Sequence, residues 1–582
     1  MINYLFFFSL ITCLLQGSIN FNYESKYGDG SNVNDFTQDT TSYNYFENFL
    51  DINFNYNNFY IYTQLEYSDP PIYGYDKVKA GDLANSYFIE YSNSSLMFKW
   101  GHLRSIYGYG LNVNMFQDQT TDFDNRVKGV ELKYSPNDIA DLFFISGKGN
   151  YGIKSYGDLR ANDIDFDHSL NTYGIQLYND LGDFSISSSN KKTYYSGGIY
   201  NKLINDSRLS IDLEDHLFDD FSIYDSLINL DSQVESSGIN FSYSRTLGNF
   251  DIYIEATENT YSKILRENEN ENGYLRYFSL SGDLFGLNLL YEYKDYNMLY
   301  YMPIISNPPL VFSEETSILM SRIQHSINFA DEIGHQLEAR FNSKDNISFL
   351  INLSMGMKHS GVRNQNEFSF DDEFNLIYET YNSVSFKDFF GKLNHLNGGM
   401  NFLDEDLRAH KPFRDLYLEA SLWNSDNTLY YKLGYHSHSS YDDTSGKNYQ
   451  THTIPTQYVI ALQNQNSLTI YAEYQNTKNL VANVESYNQD IYTYNYMAVS
   501  YHIKNLGNIS YFIDKEKVKH YIDDSYTNRN WSGMELSLEL SSTMQLSIFK
   551  GSQKGGLVCA NGVCAVQPSF EDGIKVTFRA LF

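Results

Sequence analysis

The amino-acid sequence predicts an all-β protein, a large antiparallel transmembrane β-barrel with short periplasmic turns and long extracellular loops. Three observations carry this expectation. Hydrophobic residues alternate with period two in paired runs, the chain is rich in aromatic side chains, and a short apolar run suited to export precedes the first strand.

The paired runs recur along the whole chain. Leu50, Ile52, Phe54 and Tyr56 alternate, Asn57-Asn58 turns, and Phe59, Ile61, Leu65 and Tyr67 keep the period. Val130, Leu132 and Tyr134 pass Ser135-Pro136-Asn137-Asp138 into Leu142 and Phe144, and Ile239, Phe241 and Tyr243 pass Leu247-Gly248-Asn249 into Phe250, Ile252 and Ile254. Leu337, Ala339 and Phe341 turn at Lys344-Asp345-Asn346 into Ile347, Phe349 and Ile351. In the C-terminal half, Leu416, Leu418, Ala420 and Leu422 cross Asn424-Ser425-Asp426-Asn427 into Leu429, Tyr431, Leu433 and Tyr435. Three more pairs follow, around 458–474, 497–513 and 534–548. Each run is one apolar face with polar residues between, and each turn carries the Asn, Asp, Ser or Gly that tight turns favour.

Such pairs number about twelve; a strand near residues 19–27 and one at the C-terminus bring the total to about 26, within a range of about 20–28. The turns inside pairs are short and the connections between pairs are long. That asymmetry fits a membrane barrel and is not required of a soluble sandwich or propeller.

Composition agrees. Of 582 residues, 16% are aromatic, led by 53 Tyr and 40 Phe. Tyr suits a position where a ring meets lipid and a hydroxyl meets headgroups. A mean hydropathy of -0.45 excludes a helical membrane protein yet suits a barrel whose alternate residues face a polar lumen. The net charge of -30 gives no basic stripe for phosphates, so nucleic acid is not an expected partner. The acidity reads as solvated loops or as a cation-favouring vestibule.

Residues 1–18 read as a signal peptide, because the apolar run 5–15 is too short to span a bilayer and Gly17 and Ser18 follow it. Cys13 offers a lipidated cysteine as the alternative. Residues 19–582 then form a single barrel domain in the outer membrane of a Gram-negative bacterium, with lipid and the barrel assembly machinery as partners. In the last segment Ile574, Val576, Phe578, Ala580 and Phe582 face lipid while Lys575, Thr577 and Arg579 face the lumen. The terminal Phe582 reads as the assembly signal. Strands begin within the first fifty residues, so no separate plug domain is expected ahead of the barrel. The long stretches 294–334 and 359–414, the second with an amphipathic helix at 386–396, are expected to cap the mouth or fold inward.

Three blocks stand out: Tyr107-Gly108-Tyr109-Gly110-Leu111 with Asp124-Asn125 and Gly129-Val130; Ala330-Asp331-Glu332-Ile333-Gly334 with Gln336-Leu337-Glu338; and Gly551-Ser552-Gln553-Lys554-Gly555-Gly556-Leu557-Val558-Cys559 with Gly562-Val563-Cys564. In these the chain resembles an uncharacterised family of Bacteroidota outer-membrane β-barrel proteins, a family of unknown function. The resemblance implies a barrel and a cell surface, and it carries no catalytic or ligand-binding residue across.

Few residues invite chemistry. Cys559 and Cys564, in what should be an outer loop, are expected to form a disulfide across the turn at Asn561-Gly562, with a redox or metal role as the alternative. His436 and His438 share a strand face and His452 lies beyond the next loop, with Asp442 and Asp443 between, an array that could hold a transition metal or simply line a polar strand end. Asp163, Asp165 and Asp167 begin like a calcium loop, but His168 occupies the position of the turn glycine and no Glu closes it. The run Glu267-Asn268-Glu269-Asn270-Glu271-Asn272 reads as a solvated loop. No nucleophile elbow, phosphate-cradling loop or helical metalloprotease motif is present, so neither enzymatic activity nor a cofactor is expected. The sequence points to a transport or channel barrel of unread substrate. The alternative is a non-conducting barrel that anchors or assembles a surface lipoprotein or secretion partner.

Overall fold

The computed structural model describes residues 17–33, 40–69, 84–118, 123–154, 162–195, 232–262, 270–298, 307–313, 317–323, 331–343, 346–358, 369–370, 376–377, 413–442, 447–481, 491–520, 525–560, 563–567 and 569–582. Of the expected signal peptide 1–18, residues 1–16 lie outside these, and the first strand begins at Ser18.

The alternating runs become antiparallel strands whose register keeps apolar residues on one face. Leu50 stands opposite Leu65 and Phe54 opposite Ile61, Leu132 opposite Phe144, Phe341 opposite Phe349, and Leu422 opposite Tyr431. A slip of one residue would turn every such set to the wrong face, so the pattern fixes the register. The strands join into a closed antiparallel barrel of 24, one hairpin fewer than the roughly 26 expected. One stretch with strand-like alternation, Leu111, Val113 and Met115, is buried inside the barrel instead of lying in its wall.

Closure is made by the two ends of the domain. The first strand, Ser18–Val33, pairs on one side with Thr40–Tyr56 and on the other with the last, Phe570–Leu581, with Tyr23 opposite Ala580 and Tyr27 opposite Val576. Phe21 and Phe582 exchange both backbone hydrogen bonds, at 3.0 and 2.9 Å. Among the described wall strands no edge is left to the bilayer, where an unpaired peptide group would cost several kcal/mol.

The two faces differ as a membrane barrel requires. Ile239, Phe241 and Leu247, Leu418 and Leu422, Leu429, Leu433 and Tyr435, and Ile509 and Tyr511 are exposed on the outside, Ile239 by 60%. The inside carries Glu255, Thr257, Asn259, Lys191, Gln475, Thr477 and Asp514, all buried. The apolar belt begins at the short turns and stops partway up. On the strand Ser232–Leu247 it ends at Ile239, and the next outward position is Ser237; on Phe413–Trp423 it gives way to Arg414. Among the described residues no helix is long and apolar enough to cross a membrane.

The terminal Phe582 is 62% exposed and points outward next to the closing bonds. Its deletion removes both bonds of the last residue as well as the ring. The deletion variant is expected to be exported normally but to yield less inserted, heat-modifiable barrel on unboiled detergent gels. Normal amounts would show that the last residue is incidental to assembly.

Of the two long stretches expected to cap or fold inward, the first is shorter than 294–334, because the strand Leu287–Asn297 runs on and Asp331–Asn342 starts early. Its described parts, 307–313 and 317–323, lie within the barrel. From 359–414, only 369–370, 376–377 and the start of the strand at Phe413 are described, and the expected helix 386–396 is outside them.

Candidate functional site

Two inward-folded segments meet inside the lumen. The first leaves the wall between the strands Leu96–Leu103 and Val127–Asn137, whose end residues Leu103 and Val127 face each other across the ladder. A short turn could join them; instead the described residues of the connection, 104–118 and 123–126, enter the barrel. Its roots are ionic and polar. Arg126 forks onto Asp124 at 2.8 and 2.7 Å and reaches the Ser86 hydroxyl at 2.6 Å. The Asn125 side chain accepts from the Phe116 amide and donates to the Asn114 carbonyl. The wall carboxylate of Glu131 accepts from Ser105 at 2.5 Å and from Tyr107 at 2.9 Å, while the Tyr107 ring stacks on Phe143 with centroids 4.1 Å apart.

The tip crosses to the strands Gly182–Tyr195 and Phe250–Ser262. The Tyr109 amide donates to Glu255 at 2.7 Å, Lys191 donates to the Asn112 carbonyl at 2.8 Å, and the Asn112 side chain bonds Ser187 and Ser189. Gly108 makes this approach possible. Its φ is +65°, and a Cβ there would stand 2.5 Å from the Glu255 carboxylate oxygen.

The second segment continues the crossing. Asn307 donates through its amide to the Gly110 carbonyl at 3.2 Å and accepts from Asn114 at 3.2 Å, tying the two segments together. Lys294 and Tyr296 on the wall donate to the carbonyls of Leu310 and Pro309, at 2.6 and 2.8 Å. Phe312 meets Phe413 edge-on at 6.3 Å. The short helix Ile318–Ser321 is then held by one carboxylate: Glu473 accepts from the Ser317 hydroxyl at 3.2 Å and from the amides of Ile318 and Leu319 at 2.8 Å each. Gln475 donates to the Leu319 carbonyl, and Arg322 pairs with the buried Asp514 at 2.6 Å. Nearer the mouth Lys554 pairs with Glu516 and lies over the rings of Tyr494 and Trp531. Burial lowers its ammonium below the ordinary lysine value, and Glu516 acts against that. The wall thus grips the segments chiefly through carboxylates, Glu131, Glu255, Glu473 and Asp514.

The expected histidine array is divided by the wall. His436 and His438 point inward and are buried; both bond Asp415 on the neighbouring strand, His436 through Nε2 to Oδ1 and His438 through Nδ1 to Oδ2 at 3.2 Å. His452 stands opposite Ser437 in the register, on the other face, where it bonds the Tyr435 hydroxyl at 3.0 Å. The structure substitutes Asp415 for His452, because side chains alternate across a strand and register sets which parity meets which. Asp442 ends the strand Leu429–Asp442, and Asp443 is outside the described residues.

Cys559 and Cys564 are opposite one another in the two-stranded hairpin Gly556–Ala560 and Val563–Gln567; their side chains are outside the described residues. Asp163, Asp165 and Asp167 do not make a loop. They sit on the extended strand Asn162–Asn179, Asp165 opposite Gly152 and Asp167 opposite Asn150, so their backbone does not wrap an ion. Of the acidic run, 267–269 is outside the described residues and Asn270 opens the strand Asn270–Leu284.

A closed antiparallel barrel with an apolar outer belt, a polar lumen and its own segments folded across that lumen is the architecture of an outer-membrane protein. The chain belongs to the family described as "Family of unknown function (DUF6029)", whose model matches residues 4–582. No curated protein matches it in sequence. Similar solved structures include a ferric enterobactin receptor from Pseudomonas aeruginosa, at 7% identity and a TM-score of 0.46 over 97% of this chain and 80% of that one. An iron transporter from Neisseria meningitidis is 9% identical with a TM-score of 0.43, covering 98% and 83%. The P pilus usher translocation pore is 8% identical with a TM-score of 0.39, covering 97% and 99%. These likenesses are weak, and the fold stands on the strand register alone.

Proposed function

We propose that the protein is a transport or channel barrel of a Gram-negative, Bacteroidota-like outer membrane, closed at rest by its two inner segments. The supporting observation is how those segments are held. Wall carboxylates and amides grip their backbone and side chains, and such hydrogen bonds, ~1.5–3 kcal/mol each where the acceptor is charged, can be exchanged for water or for a polar ligand when both partners are resatisfied. A barrel serving only to anchor or assemble a lipoprotein or secretion partner has no use for a releasable lumen closure. The carboxylates exposed by release favour cations as the permeating class. The substrate itself is not assigned.

The test is planar-bilayer conductance of the intact protein and of a variant in which a short turn joins Leu103 to Val127 and a flexible linker replaces 307–323. The intact barrel is expected to be quiet and the variant to pass a steady cation-preferring current while remaining heat-modifiable. A folded, inserted variant as silent as the parent would overturn the transport reading in favour of the anchoring one.

We also assign a disulfide to Cys559 and Cys564, on their opposed places in the hairpin and the oxidising compartment. Thiol probes are expected to label neither residue until the protein is reduced, and Cys559→Ser is expected to leave the barrel folded. Labelling of both in the untreated protein would point to free thiols.

A further inference from the structure

We propose that Asp415, His436 and His438 bind a divalent first-row transition ion on the lumen wall, at the upper edge of the lipid belt and beside the second inner segment. Two imidazole nitrogens and a carboxylate oxygen are a donor set that suits zinc, copper, nickel or cobalt and is poorly matched to calcium or magnesium. The backbone delivers it directly. His436 and His438 are two residues apart on one strand and so share the inner face, and the neighbouring strand places Asp415 opposite His438.

The three potential ligand atoms lie within 4.8 Å of one another, and no other group of three His, Cys, Asp or Glu among the described residues meets that test. Bonds of about 2.0–2.2 Å to a tetrahedral ion require ligand atoms roughly 3.4 Å apart. The His438–Asp415 pair, at 3.2 Å, is already near that spacing, while the closer His436–Asp415 contact has to lengthen to admit the ion. Both imidazoles already turn a ring nitrogen to the same carboxylate, one to each oxygen. Each imidazole presents an unprotonated nitrogen to the ion, so the proton it shared with the carboxylate passes to the ring's other nitrogen or, from an imidazolium, to solvent. Three protein ligands leave at least one coordination position for water or an incoming ligand atom.

Depth and surroundings place the site at the closure. The site lies at the upper edge of the belt: Ser437, between the two histidines, faces outward opposite Leu416, and Arg414 is the next outward position on that strand. Phe413, two residues before Asp415 on the same face, touches Phe312 of the inner segment. On the other flank Thr453 is opposite His436 and accepts from Gln475, which also holds the Leu319 carbonyl. An ion here bears on wall residues that grip the segment from both sides. The site stands whether or not the barrel conducts.

The experiment uses the full-length barrel in detergent, stripped with chelator and titrated with cobalt(II) and, separately, copper(II). One cobalt per barrel with a visible ligand-field band is expected, and a copper spin-resonance spectrum showing two nitrogen donors. His436→Gln and His438→Gln should each weaken binding by more than the roughly 10–100-fold that loss of an outer-shell partner costs. His452→Gln should leave it unchanged. The copper spectrum reads the intact protein, so it decides even if a variant misfolds. Absence of stoichiometric binding, a spectrum without two nitrogens, or unchanged binding in a heat-modifiable His436→Gln/His438→Gln variant would show a hydrogen-bonded His–Asp–His brace only.

Discussion

Glu473→Ala is expected to turn a quiet barrel into one with frequent openings. This carboxylate takes the Ser317 hydroxyl and the amides of Ile318 and Leu319, and the Tyr471 hydroxyl bonds it from the wall. Hydrogen bonds to a charged acceptor contribute ~1.5–3 kcal/mol each, and a buried donor left without a partner costs ~1–3 kcal/mol. Losing three at once removes most of what holds the helix Ile318–Ser321, leaving Gln475 and the Arg322–Asp514 pair. Glu473→Gln should fall between, because an amide offers one accepting oxygen where the carboxylate offers two. Single-channel current reports the openings, and protease cleavage within 317–323 of the inserted protein reports release of the segment. If Glu473→Ala inserts normally and neither readout moves, the segment does not close the lumen.

The wall was legible in the sequence because each strand faces two solvents. Lipid on one side and water on the other impose period two, and runs such as Leu416, Leu418, Ala420 and Leu422 state it without help from distant residues. Alternation alone does not suffice, since Leu111, Val113 and Met115 alternate like wall residues but are buried in the lumen. What distinguishes them locally is Gly108 and Gly110, both at positive φ, which turn the chain inward. Their meaning depends on Glu255, a residue far along the chain.

Gripping residues were hidden for the same reason. Glu131, Glu255, Glu473 and Asp514 read as ordinary lumen carboxylates, since any inward position may be polar, and Glu473 meets its partners across a separation of 156 residues. The metal candidates were half legible. Parity alone put His436 and His438 on one face, but Asp415 enters and His452 leaves only once the registers of two neighbouring hairpins are fixed. A one-residue shift in either ladder would have reversed the corresponding outcome.

Lys294→Met is expected to lower the temperature at which the barrel's gel migration changes. Lys294 and Glu332 are both buried on adjacent strands and pair at 2.5 Å, and the lysine lies across Gly334, where a Cβ would come within 2.8 Å of its Cε. The same ammonium holds the Leu310 carbonyl of the inner segment. Methionine keeps the apolar stem but strands the Glu332 carboxylate without its cation, a loss of ~3–5 kcal/mol for a buried pair broken on one side. The double variant Lys294→Met/Glu332→Leu removes both charges and should recover most of the thermal loss, because an apolar replacement of a buried pair is often neutral or better. Conductance should separate the two roles of the lysine. The double variant regains the wall's stability but not the bond to Leu310, so openings should persist after the melting behaviour returns. Tyr296→Phe, which removes only the bond to Pro309, should cost ~0.5–1.5 kcal/mol and open rarely. If Lys294→Met migrates at the parent's transition temperature, the buried pair does not stabilise the wall, and the account of this strand junction fails.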